Sequence, residues 1–121
     1  MDQFAVSTHE DERGRTVIAP RGDLDLATNQ QFVQAVTDAL VAGHVDLVVD
    51  LSETTFMDST SLGTLISARR RSHSLGGSFV IFCSDPRLLR LFEVTSLDKV
   101  FAIERGAEPD APPSQASSAS T

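Results

Sequence analysis

The chain has 121 residues, 40% of them hydrophobic, and 10 lysines and arginines against 17 aspartates and glutamates leave a formal charge of −7. That length fits one domain with a modest core. The acidic balance argues against a direct nucleic-acid role, where lysine and arginine neutralise phosphates and release counterions. A single cysteine, Cys83, excludes an internal disulfide. Apolar runs such as Phe79-Val80-Ile81-Phe82-Cys83 fall far short of the roughly 20 residues of a membrane helix, so no membrane span is expected. Met1-Asp2-Gln3-Phe4 lacks the pattern of a signal peptide, and a cytoplasmic protein is expected.

Residues 4–8 read as an extended edge segment, and Glu12-Arg13-Gly14 as the hairpin turn into a strand over residues 16–22. Pro20 cannot donate to a ladder, so its end of that strand belongs at an edge or a bulge. A helix follows. Thr28 and Gln31 have the spacing of a capping box, Phe32, Ala35, Val36, Ala39 and Leu40 recur on one face, and Gly43 supplies a left-handed stop. Residues 46–51 are apolar on both faces, as a central strand covered on each side would be. A second helix starts after Asp58, turns Leu62, Leu65 and Ile66 inward and ends near Gly76-Gly77. Residues 78–83 read as another buried strand.

Asp85-Pro86 combines a carboxylate cap with proline in the first turn, and Leu88, Leu89, Leu91 and Phe92 give that third helix its apolar side. A last short strand fits residues 100–103. The Ala-, Pro- and Ser-rich stretch 106–121 has too little apolar surface to offset ordering entropy and reads as a disordered tail, leaving one domain at 1–105. The order β-β-α-β-α-β-α-β predicts a single α/β domain, with helices packed against a mixed, mostly parallel sheet.

Chemistry-bearing clusters are few. His9, His44 and His73 show no metal-ligand spacing and read as surface histidines. Cys83 lies inside an apolar strand, where a thiol behaves as a small buried hydrophobe. No phosphate-cradling, dinucleotide or cysteine-pair zinc motif occurs, so neither cofactor nor metal is expected. Arg69-Arg70-Arg71 reads as the solvated face of a helix. Asp23 and Asp25 read as a polar turn ahead of the helix cap, with a paired-carboxylate acid/base role as the alternative. The stretch from Leu51 to Gly63 carries Asp58, Ser59, Thr60 and Ser61 where a helix begins, directly after a buried strand. Those residue types are good caps. A hydroxyl exposed there is also a candidate phosphoacceptor, because the positive helix end favours a dianion.

Three stretches together resemble the STAS domain (sulfate transporter and anti-sigma factor antagonist) in its stand-alone bacterial form. They are Gly22-Asp23-Leu24-Asp25-Leu26-Ala27-Thr28, then Val48-Val49-Asp50-Leu51-Ser52, then Phe56-Met57-Asp58-Ser59-Thr60-Ser61-Leu62-Gly63. Gly76-Gly77 and the pattern Pro-x-Leu-x-x-Leu-Phe from Pro86 to Phe92 extend the likeness over residues 4–105. The resemblance implies an anti-sigma factor antagonist that binds and does not catalyse. Unphosphorylated, such a protein captures an anti-sigma factor serine kinase of the histidine-kinase-like ATPase fold and so frees a sigma factor. The kinase phosphorylates the serine after the aspartate, here Ser59, and a PPM-type serine phosphatase reverses the mark. On the same reading Asp23, Asp25, Asp58, Thr60, Ser61 and Gly63 belong to the partner-binding edge. Ser61 stands where the family usually has glycine, which bears on kinase docking and on whether Ser59 is modified. Two other readings remain at this point. One is a STAS regulatory module of a transporter, stress-signalling or lipid-transport complex without serine phosphorylation. The other is a small α/β enzyme using Asp23, Asp25 or Asp58 as acid or base.

Overall fold

The first two strands of the computed structural model, which describes residues 3–106, are β1 (Ala5–Glu10) and β2 (Thr16–Leu24). They form an antiparallel hairpin in which Val6 faces Pro20 and His9 faces Val17. Asp11 organises the turn. Its Oδ1 accepts from the backbone N–H of Arg13 at 3.0 Å and of Arg15 at 2.9 Å, and its Oδ2 from Arg15 Nε at 2.8 Å. Arg15 reaches on to Glu104 at 3.3 Å, tying the first hairpin to the last strand. Burial pushes the Asp11 carboxyl up, but the N–H groups and guanidinium of Arg15 outweigh it and hold the group below its ordinary 3.8.

On its other side β2 pairs with two strands in turn, both parallel. Thr16, Val17 and Ile18 pair with β3 (Leu47–Asp50), whereas Gly22, Asp23 and Leu24 pair with β4 (Thr54–Met57), with an irregularity between Gly22 and Asp23. Pro20 falls in the gap between these ladders, where no donor is required, and its carbonyl accepts from Thr54 Oγ1 at 2.8 Å. Gly22 makes the irregularity possible: its φ of +104° is a conformation side chains resist. Strand β4 adds to the order expected from sequence. Four residues are too few to display a period, and Thr54-Thr55-Phe56-Met57 reads locally as loop.

The sheet runs β1-β2-β3-β5-β6, with β5 (Phe79–Phe82) and β6 (Ala102–Glu104) parallel to β3 and β4 attached to β2. Helices α1 (Asn29–Val41), α2 (Ser59–Ser74) and α3 (Pro86–Val94) cover one face. Phe32, Val36, Leu62, Leu65, Leu88 and Phe92 from the helices meet Ile18, Leu47, Val49 and Ile81 from the strands in one core. Each such side chain stabilises the fold by roughly 1.5–3 kcal/mol on full burial. Val17, Val48 and Phe82 alternate with these residues and form a smaller buried cluster on the opposite face. The α/β class and the mixed, mostly parallel sheet are those read from sequence.

The last strand begins two residues later than expected. A 3₁₀ turn at Leu97–Lys99 first sends Phe101 into the core, against Phe79 at 6.0 Å and edge-on to Phe92 at 5.9 Å. Gly77 closes the turn before β5, where a Cβ would stand 1.9 Å from the Val45 carbonyl oxygen. Cys83 is buried, and that burial pushes its thiol pKa up, away from a reactive thiolate. Apart from Gly106, the stretch 106–121 read as a tail lies outside the described residues. Among the described residues no helix is long and apolar enough to cross a membrane.

Candidate functional site

Because β2 and β4 run parallel and in register to Leu24 and Met57, the segments that leave them emerge side by side. One is the turn into α1, the other the start of α2. Asp58 joins the two. It caps α2 with extended backbone, and its Oδ1 accepts from Ser61 N–H at 3.0 Å. Its Oδ2 accepts from the backbone N–H of Leu26 at 3.1 Å, 32 residues earlier in the chain. The Ser61 N–H above all, helped by the Ser61 hydroxyl and the Leu26 N–H, holds the Asp58 carboxyl below its ordinary 3.8. Both oxygens of this aspartate are therefore occupied in positioning the backbone, and Asp58 orients the helix turn.

Ser61 lies beneath the surface. It is fully buried, its hydroxyl donates to the Leu24 carbonyl at the end of β2, and Asp58 Oδ1 is 3.0 Å away. The serine at this position thus supplies an internal tie between β2 and α2, and its hydroxyl is shielded from a docked protein. Ser59, by contrast, is exposed as the first residue of α2. Thr60 is half-buried, and its carbonyl accepts from Thr64 Oγ1 at 3.1 Å. Gly63 is exposed one turn beyond Ser59, with nothing within 4 Å of where a Cβ would stand.

The two earlier aspartates serve the neighbouring turn. Asp23 is exposed, and its Oδ1 accepts from Thr55 Oγ1 at 2.6 Å, which bolts β2 to β4. Asp25 Oδ1 accepts from the N–H of Ala27 at 3.0 Å and of Thr28 at 3.2 Å, an Asx turn. Thr28 precedes α1 as expected, yet its hydroxyl caps nothing in the helix. It points back instead, donating to the Asp23 carbonyl at 2.7 Å and accepting from Asp25 N–H at 3.0 Å. The capping-box geometry gives way because the turn, rather than the helix, offers the nearer partners. Thr64 Oγ1 then donates to Asn29 Oδ1 at 2.7 Å and locks the starts of α1 and α2 together.

Two neighbours of the site escape a local reading of the sequence. Leu26 is 76% exposed and Phe56 48% exposed, both large apolar side chains at these junctions. The signal was available in principle: an apolar residue set in a polar turn has no core of its own to join. The segments 22–31 and 51–68 contain no lysine or arginine, so the only formal charges there are carboxylates. Among the described residues no group of His, Cys, Asp or Glu is arranged to hold a metal ion.

Known proteins resemble this chain in sequence and in fold. An anti-sigma-B factor antagonist of Listeria monocytogenes is 32% identical over 83 residues, which is 69% of this chain and 73% of that protein. The structure of an anti-sigma factor antagonist from Mycobacterium paratuberculosis superposes with a TM-score of 0.73 at 20% identity, covering 98% of this chain and 96% of that one. The Bacillus cell fate determinant SpoIIAA in its phosphorylated form gives a TM-score of 0.67 at 19% identity, over 97% and 100% of the two chains. At those identities the two structures speak to the fold. The STAS domain family model matches residues 5–108, and the chain belongs to the STAS domain family.

Proposed function

We propose that the chain is an anti-sigma factor antagonist of the cytoplasm, working as a binding partner without catalysis of its own. In its unphosphorylated form it captures an anti-sigma factor serine kinase of the histidine-kinase-like ATPase fold through the edge formed by Leu26, Phe56, Asp58, Ser59 and Gly63. Phosphorylation of Ser59 breaks the complex, and a PPM-type phosphatase restores it. One observation carries the reading. Ser59 is exposed beside an aspartate whose two oxygens are already committed, in segments that hold no lysine or arginine. A phosphate there adds about −1.5 to −2 charges with no cation of its own segments to neutralise it. Desolvating that charge against a partner is costly, so binding is lost without refolding the domain. The names of the relatives support the same direction.

The test is incubation of the chain with its kinase and ATP, followed by mass spectrometry. One phosphate is expected on Ser59, none on Ser59→Ala, and Ser59→Asp is expected to bind no kinase. Phosphate found only on Thr60 would overturn the site assignment.

A further inference from the structure

Helix α2 carries three arginines and no carboxylate, on a chain of net charge −7. The ion pairs among the described residues join Arg15 to Asp11 and Glu104, and Arg87 to Asp85, so Arg69, Arg70 and Arg71 have no acidic partner there. Arg70 is exposed, while Arg69 and Arg71 are half-buried. Arg71 lines a cleft of about 80 Å³ between α1 and α2, together with Val33, Val36, Thr64, Ser67 and Ala68. The cleft is small, and half its lining is apolar (Val33, Val36, Ala68) and half polar (Thr64, Ser67, Arg71). Ser59, Gly63, Ser67 and Arg70 follow one another on successive turns and are all exposed, so a single ridge runs from the phosphoacceptor to the arginines. At 1.5 Å per residue that ridge is about 16 Å long, within reach of one docked segment. Glycine weakens a helix relative to alanine, and no described residue approaches Gly63 closely enough to require it.

We propose that this α1–α2 face is a second docking surface, for an acidic segment of the partner kinase that sets one aliphatic side chain in the cleft and carboxylates against Arg70 and Arg71. The proposal rests on the reading that a kinase is the partner. Charge decides the occupant. Clustered guanidinium groups with no acidic partner among the described residues, on a chain of net charge −7, attract carboxylates, and their placement on the helix fixes register as well as affinity. The run that reads from sequence as a solvated face is solvated at Arg70 and becomes one wall of a cleft at Arg71.

Binding of the purified kinase to the unphosphorylated full chain, measured by calorimetry at low and high salt, tests the surface. Arg70→Glu is expected to weaken binding about tenfold or more at low salt and to flatten the salt dependence. Arg70→Lys is expected to retain most of the affinity. Ser67→Phe, which fills the mouth of the cleft, is expected to weaken binding at both salt concentrations. Thermal melting verifies that each variant is folded. If Ser59→Asp abolishes binding while Arg70→Glu keeps the affinity and salt slope of the parent, this proposal is overturned and the kinase reading stands. Unchanged binding by Ser67→Phe overturns the cleft contact. A parent chain that binds no kinase overturns both.

Discussion

Replacing Ser61 by alanine deletes one oxygen from a buried joint, and the consequences can be worked through from its partners. The hydroxyl is fully buried, donates to the Leu24 carbonyl and lies 3.0 Å from Asp58 Oδ1. Removing it leaves a buried carbonyl that keeps its desolvation cost and loses a donor, a loss of about 1–2 kcal/mol. For a domain of this size each kcal/mol moves the melting midpoint by roughly 4–8 °C, so Ser61→Ala is expected to melt about 4–16 °C below the parent. Ser61→Gly, which restores the residue usual in the family, should melt lower still, by roughly another 0.5–1 kcal/mol of helix penalty. Neither change touches the exposure of Ser59, so kinase-dependent phosphate incorporation should be the same in folded Ser61→Ala and in the parent. Circular dichroism melts and mass spectrometry check the two halves. A midpoint within about 2 °C of the parent would refute the internal tie. Loss of phosphorylation in a variant that still folds would place Ser61 on the partner surface instead.

Three further outcomes are expected. Asp58→Ala should release the Leu26 N–H, so hydrogen exchange at Leu26 speeds up while Val48 in β3 stays protected; unchanged exchange at Leu26 would break the link across the junction. Gly77→Ala drives a methyl to 1.9 Å from a backbone oxygen, and a loss of about 1–3 kcal/mol or more should appear in denaturant melts; a neutral effect would contradict the close approach at Val45. The carboxyls of Asp11, Asp58 and Asp85 all sit below 3.8 in the folded chain, so the unfolded chain takes up protons first on acidification. Their stabilisation is therefore complete above about pH 5 and falls away as pH drops through the folded values. Urea melts across that range should show Asp11→Asn with a flatter acid limb than the parent, and equal limbs would remove Asp11 from the account.

What was legible in the sequence was whatever a few consecutive residues settle by themselves. Asp58 announces the start of α2 and Asp85-Pro86 the start of α3, because a cap bonds its own next turn, at Ser61 N–H and Arg87 N–H respectively. Gly43 stops α1 by its left-handed backbone, again a local matter. The exposure of Ser59 followed from its place at a helix start. Hidden were the features decided by chain segments far apart. Thr28 looks like a cap until the end of β2 sets the Asp23 carbonyl within 2.7 Å of its hydroxyl. Ser61 looks like one hydroxyl in a polar cluster until Leu24, 37 residues earlier, arrives above it. Strand β4 exists because β2 outlasts β3 and needs a second partner, a fact about strand lengths that no window around Thr54 contains.

If Ser59 is the phosphoacceptor proposed above, the same long-range joint lets a small domain carry a charge switch on its surface without coming apart. The Ser61–Leu24 tie is buried and lies under the first turn of α2, whereas Ser59 projects from that turn into solvent. Asp58 stands between them with one oxygen on each of two backbone segments. On the proposed reading, a phosphate on Ser59 stands in solvent at a helix end whose Ser61 N–H is already taken by a carboxylate, in segments with no lysine or arginine. Solvation is free to the isolated domain and unavailable under a docked partner. The difference falls on the complex alone, and a fold held by its core and its buried tie has no reason to respond.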